Sequence, residues 1–272
     1  RIPIEKQEQL KHQLEEMVEE EIITKVTGPT DWVNSMVLRE KPDGRLRVCL
    51  DPTDLNCAIK REHYPSRTVE EVSHKFAGAK VFSKLDARNG YWNVKLDEES
   101  SFLTTFNTPF GRYKFLRLPF GLKVSQDIFQ CLMDDAYRDC RGAVNIADDI
   151  IVHGIDDYDH DLNIHDAMEK TRRAGVKLNE KEEKCQIKRK SVKFYGSVYT
   201  VDGVKPDPNR VESIQAIEAP KNKTDLHTFL GMVTYMSPFL PNLSDHTATL
   251  RELLRQYVEF QWTDSHDLAF KK

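Results

Sequence analysis

Three carboxylates stand out by type and setting. Asp148 and Asp149 are adjacent within Val144-Asn-Ile-Ala-Asp-Asp-Ile-Ile-Val-His-Gly154, and Asp86 ends the earlier run Ala79-Lys-Val-Phe-Ser-Lys-Leu-Asp86. The runs flanking the Asp-Asp pair are short, apolar and β-branched, which reads as strand. An Asp-Asp step is acceptable at the tip of a tight hairpin. Two negative charges at the end of an apolar hairpin are unfavourable unless a cation sits beside them. Hard divalent ions, Mg²⁺ above all, are the natural partners of clustered carboxylate oxygens. Taken alone, the pair reads equally well as an exposed turn on an ordinary hairpin. Asp86 tips the balance if its strand neighbours that hairpin. Alternation puts Phe82, Lys84 and Asp86 on one face of their strand. Three carboxylates from two separated segments would then meet at one sheet end, as two-metal phosphoryl transfer requires.

The hydrophobic pattern predicts the elements that must position these groups. Residues 4–26 read as an amphipathic helix, with Leu10, Leu14, Met17, Val18 and Ile22 at helical spacing. Residues 32–40 and 45–50 read as strands joined through Lys41-Pro-Asp-Gly44, a hairpin signal. Arg45 and Arg47 alternate with Leu46 and Val48, so both guanidinia share a face. A basic tip of this kind suits a triphosphate or a nucleic-acid backbone, and equally an ordinary solvated edge strand. Thr68-Val-Glu-Glu71 is a capping box for a short helix that stops at Gly78. The Asp86 strand follows, then a turn at Ala87-Arg-Asn-Gly90 and a resumed strand at Tyr91-Trp-Asn-Val94. Ser125 caps a helix whose apolar positions include Ile128, Phe129, Leu132, Met133 and Ala136. After the Asp-Asp hairpin come a helix over 158–174 and strands at 176–178 and 192–201. Helices then open at Asp207-Pro208 and cover 224–236 and 248–257. The class is α+β: an antiparallel or mixed sheet with helices packed behind it, then a small helical region.

Composition narrows the field. The chain has 272 residues, 39% hydrophobic and 31% charged, which suits a folded globular protein and not a disordered one. No apolar run reaches membrane-spanning length. The start at Arg1 without methionine predicts an excerpt of something longer. Five cysteines without a C-x-x-C pair suit reduced thiols. A net charge of −4 argues against a passive nucleic-acid coat, and is compatible with an enzyme carrying a local basic cleft. His160 and His165 among Asp157, Asp159 and Asp161 resemble a zinc site superficially, but acidic residues at a helix start are favoured by the dipole alone. Cys131, Cys185, Trp92, Tyr235 and Phe239 are read as core.

An ordered series of motifs adds to this reading. It comprises Trp32-Val-Asn-Ser-Met-Val37, Lys41-Pro-Asp-Gly44, Arg47-Val-Cys-Leu-Asp-Pro-Thr-Asp-Leu-Asn56, Phe82-Ser-Lys-Leu-Asp86 and Thr105-Phe-Asn-Thr-Pro-Phe-Gly-Arg-Tyr113. Arg117-Leu-Pro-Phe-Gly121, Ala147-Asp-Asp-Ile150, Phe194-Tyr-Gly196, Asp202-Gly203, Pro206-Asp-Pro208 and Phe229-Leu-Gly231 follow. The series resembles the reverse transcriptase domain of gypsy-type (Metaviridae) LTR-retrotransposon Pol polyproteins, cousins of the retroviral enzymes.

The resemblance implies a right-hand polymerase, with an antiparallel palm sheet backed by helices and a helical thumb. Fingers would be 1–60 and 94–122, palm 61–93 and 123–205, and thumb 206–258. Residues 259–272 would begin a connection toward an RNase H domain outside this sequence. The implied activity is RNA- and DNA-directed DNA synthesis. Its partners would be dNTPs, an RNA or DNA template with primer, and the remainder of Pol (protease, RNase H, integrase), with no membrane and an oligomeric state left open. The setting would be the cytoplasm, in a virus-like particle or the cytosol, or the nucleus. Asp86, Asp148 and Asp149 would hold two Mg²⁺, with Mn²⁺ able to substitute and the Ala87 carbonyl an extra ligand. Lys41, Arg45 and Arg47 would hold the triphosphate. Tyr91, with Phe120 in the same pocket, would select the sugar by shape. Gln130 would touch the template, and Phe194, Tyr195 and Gly196 would form the primer grip.

Three positions depart from the family pattern. Ile146 stands where an aromatic is usual, Phe120 stands where retroviral enzymes carry Gln, and Val124-Ser125-Gln126 replaces a small-x-Pro helix start. The competing reading from another class is a decayed or domesticated relative that binds nucleic acid as a scaffold without polymerising. Retained clustered charge argues against it.

Overall fold

The computed structural model describes residues 3–40, 44, 46–65 and 67–271, with the side chains of Glu5 and Glu70 left aside. Lys41 and Arg45 therefore lie outside the described residues. The chain divides into two compact units, Arg1–Arg189 and Lys190–Lys272.

In the first unit, α1 (Gln7–Glu19) buries Leu10, Leu14 and Met17 as the helical spacing predicts. It stops well short of residue 26. Glu21 takes φ 55°, the Ile22 N–H returns to the Met17 carbonyl, and Ile23–Val26 is a strand, β1. β-branched Ile and Thr fit a pleated surface better than a helix, and Ile22 is buried either way, so its spacing misled. The hairpin β2 (Ser35–Glu40) and β3 (Leu46–Asp51) pairs Arg39 with Arg47. Short helices α2 (Thr53–Ala58) and α3 (Val69–Ser73) follow. Both bonds of the Thr68/Glu71 capping box at α3 are present. β4 (Val81–Asp86) carries the first carboxylate. Next, Gly90–Asn93 form a 3₁₀ turn instead of the expected strand, entered through Asn89 at φ 50°.

The first unit continues with α4 (Glu98–Leu103), β5 (Phe106–Thr108), β6 (Gly111–Phe115), α5 (Ser125–Tyr137), β7 (Ala143–Ile146), β8 (Asp149–Gly154), α6 (Asp157–Arg173) and β9 (Gln186–Arg189). Strand order is β1-β6-β5 in one sheet and β7-β8-β4-β9 in another, with every strand pair antiparallel. Leu85, Ile150 and Val152 turn toward α5 and α6, where they pack with Phe129, Met133, Tyr137 and Ala167. By alternation, Lys84, Asp86 and Asp149 belong to the opposite face. Burying one face under two helices fixes the register, because a one-residue slip would move the aspartates into the core.

The second unit opens with the meander β10 (Ser191–Phe194), β11 (Ser197–Thr200) and β12 (Gly203–Pro206). Asp207 caps α7 (Pro208–Gln215), with Pro at the first helical position. Then come α8 (Lys223–Tyr235), α9 (Leu243–Glu252) and α10 (Asp264–Phe270). α9 starts and ends earlier than its apolar spacing suggested. Leu226, Phe229, Leu230, Leu250 and Leu253 form the core of this unit. Tyr235 is not in that core. It is 54% exposed, its hydroxyl donates to the Tyr195 carbonyl at 2.8 Å, and Arg210 stacks on its ring at 4.4 Å.

Candidate functional site

The β4–β8 register pairs Asp86 directly with Asp149, and the Ala87 N–H donates to the Asp148 carbonyl at 2.8 Å. Chain segments far apart in sequence therefore bring all three predicted carboxylates to one sheet end. Each has a different environment. Asp86 accepts from Asn179 Nδ2 at 3.2 Å and from Lys184 Nζ at 3.4 Å, and its own N–H donates to Cys185 Sγ. Cys185 is thus a backbone partner of Asp86 as well as a packing residue. Asp149 takes a 2.9 Å ion pair from Lys84. Among the described residues no cation is bonded to Asp148 in this way. Loss of hydration against the protein, then the charges of Asp86 and Asp149, push its carboxyl up to about 6, against weaker pulls from Arg47 and Lys184. Although Asp148 sits at an accessible tip, its Oδ1 lies directly over Gly90, so close that a Cβ there would fall 2.1 Å away.

This donor set suits a hard cation in chemistry: carboxylate oxygens at a shared sheet end, one of them destabilised by its neighbours' charge. The Ala87 carbonyl accepts no hydrogen bond among the described residues, which leaves it free as a further oxygen donor. Among the described residues no three His, Cys, Asp or Glu side chains are already grouped to hold an ion; Lys84 pairs with Asp149 and Lys184 with Asp86.

The tip between β7 and β8 consists of Ala147 and Asp148, with Ala147 in the left-handed region at φ 49°. That conformation costs a non-glycine residue free energy and must be held. Gln130 holds it. Its Oε1 accepts the Ala147 N–H at 3.0 Å, while its Nε2 donates to Asp134 at 2.9 Å. Asp134 also accepts from Asn145 and from Tyr64, each at 3.0 Å, so α5, β7 and the segment before α3 converge on one buried carboxylate. Gln130 is 0% exposed. It therefore supports the Asp-Asp tip, a role its sequence neighbours gave no sign of, since its partners lie elsewhere in the chain.

The predicted nucleotide-side residues are also gathered. The Arg47 guanidinium lies over the Phe120 ring at 5.0 Å, and Phe120 packs on Tyr91 at 4.8 Å and Trp92 at 6.0 Å. Arg47 makes no ion pair among the described residues, and its Nε is buried without a hydrogen-bond partner. A guanidinium with an unused buried donor is suited to bind phosphate. Phe120 is fixed from behind: its carbonyl accepts the Leu50 N–H at 3.0 Å, and Gly121 at φ 114° lies so close that a Cβ would meet the Leu50 carbonyl at 2.0 Å. The Tyr91 ring packs edge-on against Phe129 at 5.7 Å, and its hydroxyl donates to Gln126 at 2.7 Å. Burial, then the charge of Asp148, pushes the Tyr91 hydroxyl above its ordinary range, so it stays a proton donor.

The structure also places the other residues that the sequence singles out. Ser125 does not cap α5; it is the first helical residue, buried, with its hydroxyl donating to the Pro119 carbonyl. Ile146 is buried in β7. His160 is fully buried and shares a 2.9 Å hydrogen bond with Ser83. The five cysteines are unpaired. In the second unit, Phe194 is buried, while Tyr195 and Gly196 turn the chain with φ 47° and 81°.

Residues 39–199 match the reverse transcriptase (RNA-dependent DNA polymerase) family, and the chain belongs to it. It is 31% identical over 269 residues, 97% of its length, to an enzymatic polyprotein of cauliflower mosaic virus, of which it covers 39%. It is 28% identical over 85% of its length to the transposon Tf2-3 polyprotein of Schizosaccharomyces pombe, of which it covers 17%. The chain thus spans well under half of these curated relatives. Among solved structures, the foamy viral protease-reverse transcriptase in complex with double-stranded DNA superposes with a TM-score of 0.87 over the whole chain and 48% of its own, at 21% identity. The same protein with an RNA/DNA hybrid gives 0.80 over 36% of that chain. The fold is the α+β fold of the right-hand polymerases. No helix among the described residues is long and apolar enough to cross a membrane.

Proposed function

We propose that the chain is the RNA- and DNA-directed DNA polymerase part of a retroelement polyprotein, extending a primer on an RNA or DNA template with dNTPs. The observation that carries this reading is the meeting of Asp86, Asp148 and Asp149 at one sheet end, in a family named for that reaction. The element is assigned to the gypsy type, on the ordered motifs and the similarity to the Tf2-3 polyprotein. The similarity to the cauliflower mosaic virus polyprotein supports a viral source as the second reading. Fingers, palm and thumb are assigned as 1–60 with 94–122, 61–93 with 123–205, and 206–258. Protease, RNase H and integrase partners in the same polyprotein, and work in the cytoplasm or nucleus, go with this assignment.

In the proposed reaction the primer 3′-hydroxyl attacks the α-phosphorus of a dNTP and pyrophosphate leaves. Asp86, Asp148, Asp149 and the Ala87 carbonyl are the donors for two Mg²⁺ or Mn²⁺. Such ions, when bound, supply charge stabilisation of the attacking and leaving oxygens. Arg47 anchors the triphosphate, with Lys41 and Arg45 assigned alongside it. Phe120 backs Arg47 and Tyr91, whose bulk excludes a 2′-hydroxyl. Phe194, Tyr195 and Gly196 hold the primer strand. Catalysis of this kind is positioning plus electrostatics. Primer extension on an RNA template, with Mg²⁺ present and removed by a chelator, tests the reading; no Mg²⁺-dependent product would refute it.

Two expectations follow from the site. Tyr91→Val opens the sugar pocket, so selection of dNTP over rNTP falls by about 10²-fold. Paired single-nucleotide incorporation assays check this, and unchanged discrimination removes Tyr91 from the role. The second concerns pH. The folded Asp148 value, about 6, lies above its ordinary 3.8, so this carboxyl binds a proton in the folded chain where the unfolded chain has lost it. Without metal, that group makes the fold less stable as pH rises from about 4 to 6. Protons also compete with cations for it. At sub-saturating Mg²⁺, extension therefore falls about tenfold per pH unit below roughly pH 6, and added Mg²⁺ moves the midpoint lower. A rate profile insensitive to Mg²⁺ concentration contradicts this.

A further inference from the structure

We propose that Gln126 is a specificity-determining positioning residue: its side-chain carbonyl fixes the Tyr91 ring and thereby sets how strictly the sugar of the incoming nucleotide is selected. The inference rests on the reading of Tyr91 as the wall beneath that sugar. Gln126 occupies the point where the resembled pattern has proline, a residue with no side-chain acceptor. Here the Tyr91 hydroxyl donates to Gln126 Oε1 at 2.7 Å, and neither side chain has another hydrogen-bond partner among the described residues.

The acceptor sits on a rigid mount. Ser125 on one side donates to the Pro119 carbonyl at 2.7 Å, and Asp127 on the other takes two bonds from Arg61, at 2.6 and 3.0 Å. The first turn of α5 is therefore tied down immediately before and after Gln126. Phe120 and Phe129 pack against the Tyr91 ring, with centroids 4.8 and 5.7 Å away, and any remaining tilt of the ring moves its hydroxyl end farthest. A hydrogen bond at the hydroxyl, the atom farthest from the backbone, is the most effective place to remove that tilt. A wall that discriminates by shape depends on being stiff: if the ring can lean away, a 2′-hydroxyl is admitted without any change in the pocket's composition.

The test measures kcat/KM for a matched dNTP and its rNTP on a primed template with the 272-residue chain. Gln126→Leu and Tyr91→Phe each remove the hydrogen bond, and each lowers the dNTP-to-rNTP ratio by about three- to tenfold. Because they remove the same bond, the double variant loses no more than either single one. Gln126→Glu keeps an acceptor and keeps the ratio within about twofold. Melting temperatures of all four variants separate a folding defect, which lowers overall rate without moving the ratio. Unchanged ratios in the single variants, or losses that multiply in the double one, overturn the proposal. If Tyr91→Val admits ribonucleotides while Gln126→Leu does not, this proposal alone falls. If Tyr91→Val leaves sugar selection unchanged, the reading of Tyr91 falls and takes this proposal with it.

Discussion

Asp148→Asn lowers primer extension by about 10³-fold or more, ~4 kcal/mol of barrier, while binding of a primed duplex persists. The substitution keeps the shape of the side chain and removes its charge. Among the described residues Asp148 is the carboxylate left least compensated: Asp149 has Lys84, Asp86 has Lys184 and Asn179, and Asp148 has the weaker pulls of Arg47 and Lys184. Its charge is unfavourable in the resting chain, as its elevated pKa records, so the amide should leave melting temperature unchanged or raise it in the absence of metal. Duplex affinity and its salt dependence come from contacts to the phosphate backbone, and removing an anion does not weaken those. Gel-shift and extension assays on the same preparation check the result. Extension within tenfold of the parent chain would remove Asp148 from the catalytic set.

Gly90→Ala produces the second large loss, about 10²-fold in extension, with little change in melting temperature. Nothing in the backbone demands glycine at this position, since its φ is not in the left-handed region. The reason is space. A Cβ on residue 90 would stand 2.1 Å from Asp148 Oδ1 and 3.0 Å from two ring atoms of Phe129. Phe129 is locked in the core, on the face of α5 that packs against the sheet, whereas Asp148 is at an accessible tip, so Asp148 is the group that yields. A displacement of about an ångström at a group that must be aligned is expensive in rate and cheap in stability. Gly28→Ala is the control: nothing lies within 4 Å of its added Cβ, and extension should stay within about twofold. Equal losses in the two variants would show that Gly90 has no special relation to Asp148.

Much of the site was legible because its signals are local. The β-branched runs around Asp148 and Asp149 and the strand ending at Asp86 announce themselves within a few residues, and strand alternation alone puts Lys84 and Asp86 on one face. The Thr68 capping box is a four-residue signature and is present bond for bond. Helix ends were less legible. Ile22 is buried whether it ends a helix or begins a strand, so apolar spacing cannot tell where α1 stops. The 3₁₀ turn at Gly90–Asn93 was hidden in the same way, because a strand and a tight turn both accommodate Tyr-Trp-Asn.

What the sequence determined by itself is the class of fold, the three carboxylates and the family, since each is written in short stretches whose chemistry does not depend on distant partners. What only the tertiary structure decided is which groups hold those carboxylates and the nucleotide pocket in place. Gln130 under the Ala147 turn, the bare Gly90 beneath Asp148, Lys84 on Asp149 and Gln126 on Tyr91 are all pairings between segments far apart along the chain. A polar side chain's role is set by the partner it meets once the core has closed, and burial patterns constrain apolar residues far more tightly than they constrain the partners of polar ones.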